Sequence, residues 1–184
     1  MIFWVFLLAL PKPMPTKPDK AEKKLLADIK KTGWHVIIVP PDEVGPGFAY
    51  SIGLYKTFGH PEIIILGLKG EVAHGLINGI GEAVRNGKKF TSGKFYSGII
   101  EGFKCFLLAV DEKNYKEHVG YARWYYQGNW FPLLQCIFPT ATGKFPWQWP
   151  SDKKHLQPIL GKRKSTKKKT EKIAVKKSAK KKTK

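Results

Sequence analysis

The sequence has only two cysteines among its 184 residues, Cys105 and Cys136. A small fold held together by disulfides is therefore excluded, and neither cysteine belongs to the closely spaced ligand pair of a structural zinc site. Each lies inside an apolar, strand-like run, where free cysteines are usually buried. We interpret both as buried, reduced thiols, since a disulfide would require an oxidising compartment.

No apolar run is long enough to cross a bilayer, which takes about 20 residues. The chain begins with ten apolar residues, Met1–Leu10, but no lysine or arginine precedes Lys12 and no small-residue cleavage site follows. Met14 begins a sequence that is typical of a cytosolic start. We interpret residues 1–18 as an extension outside the fold, with a weak signal or membrane-surface anchor as the alternative. We expect a cytoplasmic protein without a transmembrane segment.

Acidic residues are few, 14 against 33 lysines and arginines, and the formal net charge is +19. The excess lies at the C-terminus: residues 162–184 hold 13 basic residues and one acid, whereas residues 32–160 hold 13 and 10. A nucleic-acid-binding domain with a uniformly basic fold is thus disfavoured. Because Ile173 and Val175 are its only larger apolar residues, we predict that residues 161–184 form a disordered basic tail.

We predict that this tail contacts nucleic acid or another polyanion without sequence preference, by releasing counterions from phosphates. A solvating tail with no specific partner is the alternative. The basic residues expected to make the contacts are Lys162, Arg163, Lys164, Lys167, Lys168, Lys169, Lys176, Lys177, Lys180, Lys181 and Lys182.

Three motifs that identify common enzyme classes are missing. Ser51 lacks the first glycine of the Gly-x-Ser-x-Gly elbow of hydrolases. Residues 87–94 read Gly-Lys-Lys-Phe-Thr-Ser-Gly-Lys, with five residues between the glycines where a phosphate loop has four, so we interpret them as a basic turn. No Gly-x-Gly-x-x-Gly follows a predicted strand, so a dinucleotide-binding fold is not supported.

The remaining pattern predicts a single compact α+β domain over residues 19–160. A capping box of Asp19 and Glu22 begins the first helix, and Gly120 is expected to divide the last one. The continuous run Ile63–Leu66 predicts a strand covered on both faces. This order of elements favours a mixed or largely antiparallel sheet, open or curled into a small barrel, with two or three helices. Helices are predicted at residues 19–32, 71–85 and 114–127, and strands at 34–39, 48–54, 62–68, 95–101, 103–110 and 131–138.

Residues 47–68 are the best-specified stretch, since two strand-like runs flank a polar turn that holds His60 and Glu62. A histidine and a carboxylate at a strand entrance suit general acid–base catalysis or a metal with an open position, so these are the candidate catalytic residues. Alternatively, His60 only makes a turn with Pro61, and Glu62 pairs with a lysine or caps backbone amides. No His-x-x-x-His pair exists, so we assign no metal site. Candidate ligand-binding residues are Tyr50, Ser51, Thr57, His74 and Glu101.

Helical periodicity places His74 opposite the apolar face of the helix at residues 71–85, which predicts that it is exposed. An aromatic group further along the chain either packs in the core or stacks on a flat ligand. Its members are Tyr121, Trp124, Tyr125, Tyr126, Trp130 and Phe131.

Several segments occur in one order and spacing: Gly33-Trp34, Phe48–Leu54, Phe58–Glu62, Ala73-His74 with Asn78, Gly102 before Cys105, Tyr121–Tyr126, Pro132–Gln135 and Gly143–Trp147. Together they resemble the bacterial domain-of-unknown-function family DUF4262, over roughly residues 26–149. The resemblance implies domain boundaries and no particular reaction. It also leads us to expect an acid near Thr142 and another after Trp147, where this chain has Gln148.

Two functions from different classes remain open. The first is an accessory or binding protein that recognises an unidentified small ligand or protein partner, with the lysine-rich tail on nucleic acid or another polyanion. The second is a small-molecule enzyme that uses His60 and Glu62 for acid–base or metal chemistry. A purely structural interaction domain is a third possibility. A cleft joining His60 and Glu62 with Tyr50 and with His74 or Glu101 would favour the enzyme, whereas burial against satisfied partners would favour binding or structure. The sequence identifies no cofactor.

Overall fold

The computed structural model describes residues 18–163. Two expectations therefore lie outside the described residues: the one for residues 1–17, and the one for nine of the eleven tail contacts, from Lys164 to Lys182. The helices are α1 (Lys20–Thr32), α2 (Leu54–Phe58), α3 (Gly70–Arg85), α4 (Tyr115–His118) and α5 (Gly120–Tyr126). The strands are β1 (His35–Val39), β2 (Phe48–Ile52), β3 (Glu62–Leu66), β4 (Lys94–Ile100), β5 (Phe103–Ala109) and β6 (Leu133–Ile137). Short 3₁₀ helices follow at Glu112–Asn114, Pro146–Gln148 and Ser151–Leu156.

Within this range the strands form one sheet in the order β1-β2-β3-β6-β5-β4. Neighbouring strands are antiparallel except β3 and β6, which are parallel. The prediction of a mixed, largely antiparallel α+β sheet is confirmed. The suggestion of a small barrel is wrong, because β1 and β4 are the two edge strands and do not pair with each other. The sheet stays open, with α3 packed on one face and α1, α4 and α5 packed on the other face beside β2 and β3.

The core consists of two layers, one on each face of the sheet. Helix α3 packs Ala73 and Ile77 on the face that carries Ile63 and Ile65. Helices α1, α4 and α5 pack on the opposite face, which carries Ile64 and Leu66. Every residue of β3 is buried, which confirms the prediction of a strand covered on both faces.

Local signals explain both ends of α1. The side chain of Asp19 accepts a hydrogen bond from the Glu22 amide, and the Glu22 carboxylate accepts one from the Asp19 amide, as the predicted capping box requires. Gly33 ends the helix with φ = 99°, a left-handed conformation that favours glycine, and its amide donates to the Ile29 carbonyl.

The helices are more numerous than the two or three expected, since five α-helices lie within the described chain. The predicted helix at residues 114–127 is divided at Val119 into α4 and α5. Helix α2 was not predicted at all. It begins where Gly53, with φ = 114°, turns the chain out of β2, so the strand expected to reach Leu54 ends at Ile52.

The two cysteines are free and buried, as expected, on neighbouring strands. Between residues 18 and 163, no helix is both long and apolar enough to traverse a bilayer.

Candidate functional site

Glu62 is the centre of a buried hydrogen-bond network. It is the first residue of β3 and is fully buried. One carboxylate oxygen accepts from the backbone amides of Gly53 (2.8 Å) and Tyr55 (3.1 Å) and from the Tyr126 hydroxyl, and the other accepts from the Ser51 hydroxyl. The carboxylate thus joins β2, β3, α2 and α5 at one point.

The charge of this carboxylate is stabilised by dipoles and not by a cation. None of the ion pairs formed within residues 18–163 includes Glu62. Burial raises the pKa of Glu62, and the donated hydrogen bonds oppose that rise. Glu62 therefore caps backbone amides, as one of the two structural alternatives predicted, and it does not pair with a lysine. All four donors are internal and the side chain is fully buried, so a substrate could reach Glu62 only by displacing one of these donors.

His60 is buried between two backbone groups, with 4% of its surface exposed. The amide of Phe90 donates to its Nε2 (3.1 Å), so this nitrogen carries a lone pair and Nδ1 carries the hydrogen that is donated to the Pro61 carbonyl (2.7 Å). Burial lowers the pKa of the imidazole, which keeps it neutral. The ring also lines a 460 Å³ cavity beneath residues 87–92, but both ring nitrogens are occupied.

This environment predicts a dependence of stability on pH. The folded-state pKa of His60 lies below its ordinary value of 6.5, so the unfolded chain takes up a proton that the folded chain refuses as pH falls below 6.5. We expect the free energy of unfolding to fall with decreasing pH in this window, by up to about 1.4 kcal/mol per pH unit from this one group. Urea unfolding at a series of pH values measures this dependence. The free energy of unfolding plotted against pH should have a shallower slope for His60→Gln than for the unaltered protein.

The matched control is His155→Gln, because His155 is exposed. The slope of the free energy of unfolding against pH for His155→Gln is the reference with which that for His60→Gln is compared. His35 contributes to the slope of every one of these proteins, since burial also lowers the pKa of its imidazole. Equal slopes for His60→Gln and the unaltered protein would show that His60 is not held in the neutral form.

A groove of about 810 Å³ lies along the outer edge of β1, between α1 and α3. On its α3 side the Trp34 indole Nε1 donates to Asn78 Oδ1 (2.9 Å), and Asn78 Nδ2 lies 3.2 Å from His74 Nδ1. His74 is exposed, as its place on the helix predicted. The side chains that line the groove belong to Ala21, Lys24, Asp28, Thr32, Trp34–Ile38, His74, Asn78, Glu82 and Tyr121.

An ion pair lies on the α1 side of the same groove. Asp28 Oδ2 is 2.6 Å from Lys24 Nζ and 2.7 Å from His35 Nδ1. The hydrogen bond with Lys24 lowers the pKa of Asp28. Neither Asp28 nor His35 was singled out from the sequence. The spacing of His74 and Asn78, four residues apart on the polar face of one helix, was the available signal for this groove.

The other candidate residues are dispersed. Tyr50 is buried in the core, and its hydroxyl accepts from the Tyr121 amide (3.3 Å). Thr57 Oγ1 donates to the Gly33 carbonyl (2.8 Å), and Glu101 is exposed in the turn between β4 and β5. The structure therefore brings Ser51 and Glu62 together, but no cleft among the described residues joins them with His60, His74 and Glu101.

The aromatic group is divided between core and surface. Phe131 is buried, and Tyr126 stacks on it with ring centroids 4.6 Å apart, whereas Trp130 is 80% exposed. Thr142 and Gln148, at the positions where the resemblance leads us to expect acids, both line a 500 Å³ hollow.

No three histidine, cysteine or acidic side chains between residues 18 and 163 are grouped so as to hold a metal ion. The groove along β1 offers aromatic and polar contacts on its α3 side and a lysine–carboxylate–histidine cluster on its α1 side. Such a lining is suited to binding a ligand by hydrogen bonds and stacking.

Comparisons with known proteins identify a domain family but no reaction. A search of curated proteins and a search of solved structures each found no match. A family model described as a domain of unknown function (DUF4262) matches residues 28–152, about two thirds of the chain. The chain therefore belongs to the DUF4262 family.

Proposed function

We propose that this protein is a binding protein whose lysine-rich tail attaches it to nucleic acid or another polyanion without sequence preference. The observation that carries this proposal is the division of charge. Residues 162–184 hold 13 basic residues and one acid, whereas residues 32–160 are nearly balanced with 13 basic and 10 acidic residues. Attraction to phosphates then belongs to the tail and leaves the folded domain free for another ligand.

The hydrogen bonds that occupy His60 and Glu62 support a binding role over catalysis by this pair. The Phe90 amide occupies the only lone pair on the His60 ring, and two amides and two hydroxyls occupy the Glu62 carboxylate. An enzyme using this pair would have to break several buried hydrogen bonds in each turnover, and each broken bond costs about 1–3 kcal/mol. The enzyme remains the alternative, and it requires the segment around Phe90 to move.

We place the ligand site of the folded domain in the groove along β1. Its volume of about 810 Å³ lies in the range of small-molecule sites, and Trp34, Asn78 and His74 form a connected row along one wall. The ligand chemistry that fits this wall is a flat or extended group with hydrogen-bonding atoms.

The salt dependence of binding tests the polyanion proposal directly. We expect the full chain to bind a fluorescent oligonucleotide in fluorescence anisotropy with an affinity that falls about 10³-fold or more between 50 and 200 mM salt, as about six or more phosphate contacts require. A Lys→Gln version of the tail, altered at Lys167, Lys168, Lys169, Lys176 and Lys177, should show a smaller slope. An affinity that does not change with salt would refute the proposal.

A further inference from the structure

The end of the sheet formed by β4 and β5 has one face that no α-helix of the described chain covers. Phe106, Leu108 and Ile137 form a small cluster there, and only Phe145, Trp147 and Ile159 pack against it. Four of the seven residues of β4 are exposed, and the Phe95 ring is 52% exposed. A phenylalanine this accessible on an open sheet face is available to a ligand.

Phe95 is held by other rings, which together form what we call the aromatic ladder: Phe95, Phe106, Phe145 and Trp147. The Phe95 centroid lies 4.8 Å from that of Phe106 and 5.4 Å from that of Phe145. Trp147 lies 5.5 Å from Phe106 and stacks on Phe145 at 4.6 Å with an interplanar angle of 4°. Packing on both neighbours fixes the Phe95 ring in place, so a ligand that stacks on it loses little side-chain entropy.

The basic tail begins at this ladder. The guanidinium carbon of Arg163 lies 4.5 Å from the centroid of the Trp147 ring, a cation–π contact. Arg163 is the last described residue, and residues 164–184, which follow it, hold eleven basic residues and one acid. The densest positive charge of the sequence therefore follows directly after a residue that contacts the aromatic ladder.

One further lysine faces the same side of the sheet. Phe95 pairs with Phe106 across the two strands, and Ser97 pairs with Lys104, two residues further along. Alternation along a strand places Lys104 on the face that carries the ladder, where it is exposed. The acid nearest to Lys104 in sequence, Glu101, lies three residues before it in the turn that joins β4 to β5.

We propose that the aromatic ladder is a binding surface for single-stranded nucleic acid, an inference that rests on the proposed polyanion-binding function. One unstacked base lies on the open side of Phe95, and the neighbouring phosphates contact Lys104 and Arg163. Stacking requires a base released from its helix, and every base has a face that can stack. The ladder therefore adds a preference for single strands over duplex to an attraction that the tail exerts on both.

The test compares Phe95→Ala with the unaltered full chain by fluorescence anisotropy, using a labelled single strand of about 12 nucleotides and the matching duplex. We expect Phe95→Ala to bind the single strand about tenfold more weakly and the duplex equally well. Phe95→Tyr retains a ring and should restore single-strand binding. Val72→Ala, which shortens another half-exposed apolar side chain on α3, should change neither affinity.

The outcomes separate this inference from the proposal beneath it. Equal single-strand affinities for Phe95→Ala and the unaltered protein, with salt-dependent binding intact, would overturn the ladder and leave the polyanion function standing. Equal losses on single strand and duplex would also overturn it, because stacking does not act on a closed duplex. Failure of the full chain to bind either probe would overturn both. Phe95→Tyr keeps the test valid even if Phe95→Ala alters the fold, because a loss of single-strand binding in Phe95→Tyr would contradict stacking on this ring.

Discussion

Removal of residues 164–184 is expected to weaken binding of single-stranded and duplex nucleic acid by about 10³-fold or more at low salt. The reason is electrostatic: this segment carries eleven of the chain's 33 lysines and arginines and only one of its 14 acids. Each phosphate contact releases condensed counterions, and loss of about six to ten such contacts removes most of the affinity of a sequence-independent binder. The truncation keeps Arg163 on Trp147, so the aromatic ladder stays intact.

Fluorescence anisotropy of full-length and truncated proteins with the same oligonucleotides measures this effect. The matched control has the same length but replaces all eleven tail lysines by arginine, which conserves charge and should bind at least as tightly. Circular dichroism and the unfolding midpoint should be unaltered in both proteins. If the truncated chain binds as tightly as the full chain, the polyanion site lies in the folded domain and the proposed role of the tail is wrong.

Replacement of Glu62 by alanine is expected to lower the free energy of unfolding by about 3–5 kcal/mol, more than any other substitution proposed for this protein. The change leaves the amides of Gly53 and Tyr55 and the hydroxyls of Ser51 and Tyr126 without their common acceptor. A buried donor without a partner costs about 1–3 kcal/mol, and the hydroxyls can recover part of this by rotating. The expected loss is a large fraction of the about 5–15 kcal/mol that stabilises a typical domain.

Urea unfolding followed by tryptophan fluorescence measures that loss. Tyr126→Phe removes one donor and keeps the others, so it should cost only about 1–2 kcal/mol and remain folded even if Glu62→Ala does not. Glu43→Ala, in an exposed loop, is the control and should stay within about 0.5 kcal/mol of the unaltered protein. A loss of unfolding free energy below about 1 kcal/mol for Glu62→Ala would mean that water satisfies the four donors and that the fold does not need the Glu62 carboxylate. The side chain would then be free to serve in a reaction.

The parts of the fold that could be predicted from sequence are those that local chemistry determines. The Asp19–Glu22 capping box depends on residues three apart, and the burial of β3 depends on an unbroken apolar run. The polar face of α3, which carries His74 and Asn78, follows from a 3.6-residue period. In each case the signal lies within a few residues of the structure that it predicts.

The surroundings of His60 and Glu62 were predictable only in part, because the hydrogen bonds that hold these two side chains join residues that are distant in sequence. His60 receives the Phe90 amide from 30 positions away, and Tyr126 reaches Glu62 across 64. Neither tyrosine nor backbone amide carries a local sign of its partner. The sequence could therefore identify His60 and Glu62 as chemically capable, but not that internal donors already occupy both.

The parallel pairing of β3 with β6 has a consequence for how the chain folds. Strands β1–β3 and β4–β6 are two meanders, each connected by neighbours in sequence, and β3–β6 is the seam between them. The seam pairs Ile63 with Leu134, 71 residues apart, so it closes a longer loop, at a greater entropic cost, than any pairing within either meander. On a ribosome the first meander leaves the exit tunnel with one side of β3 unpaired, and that side is protected only after residue 137 has been made.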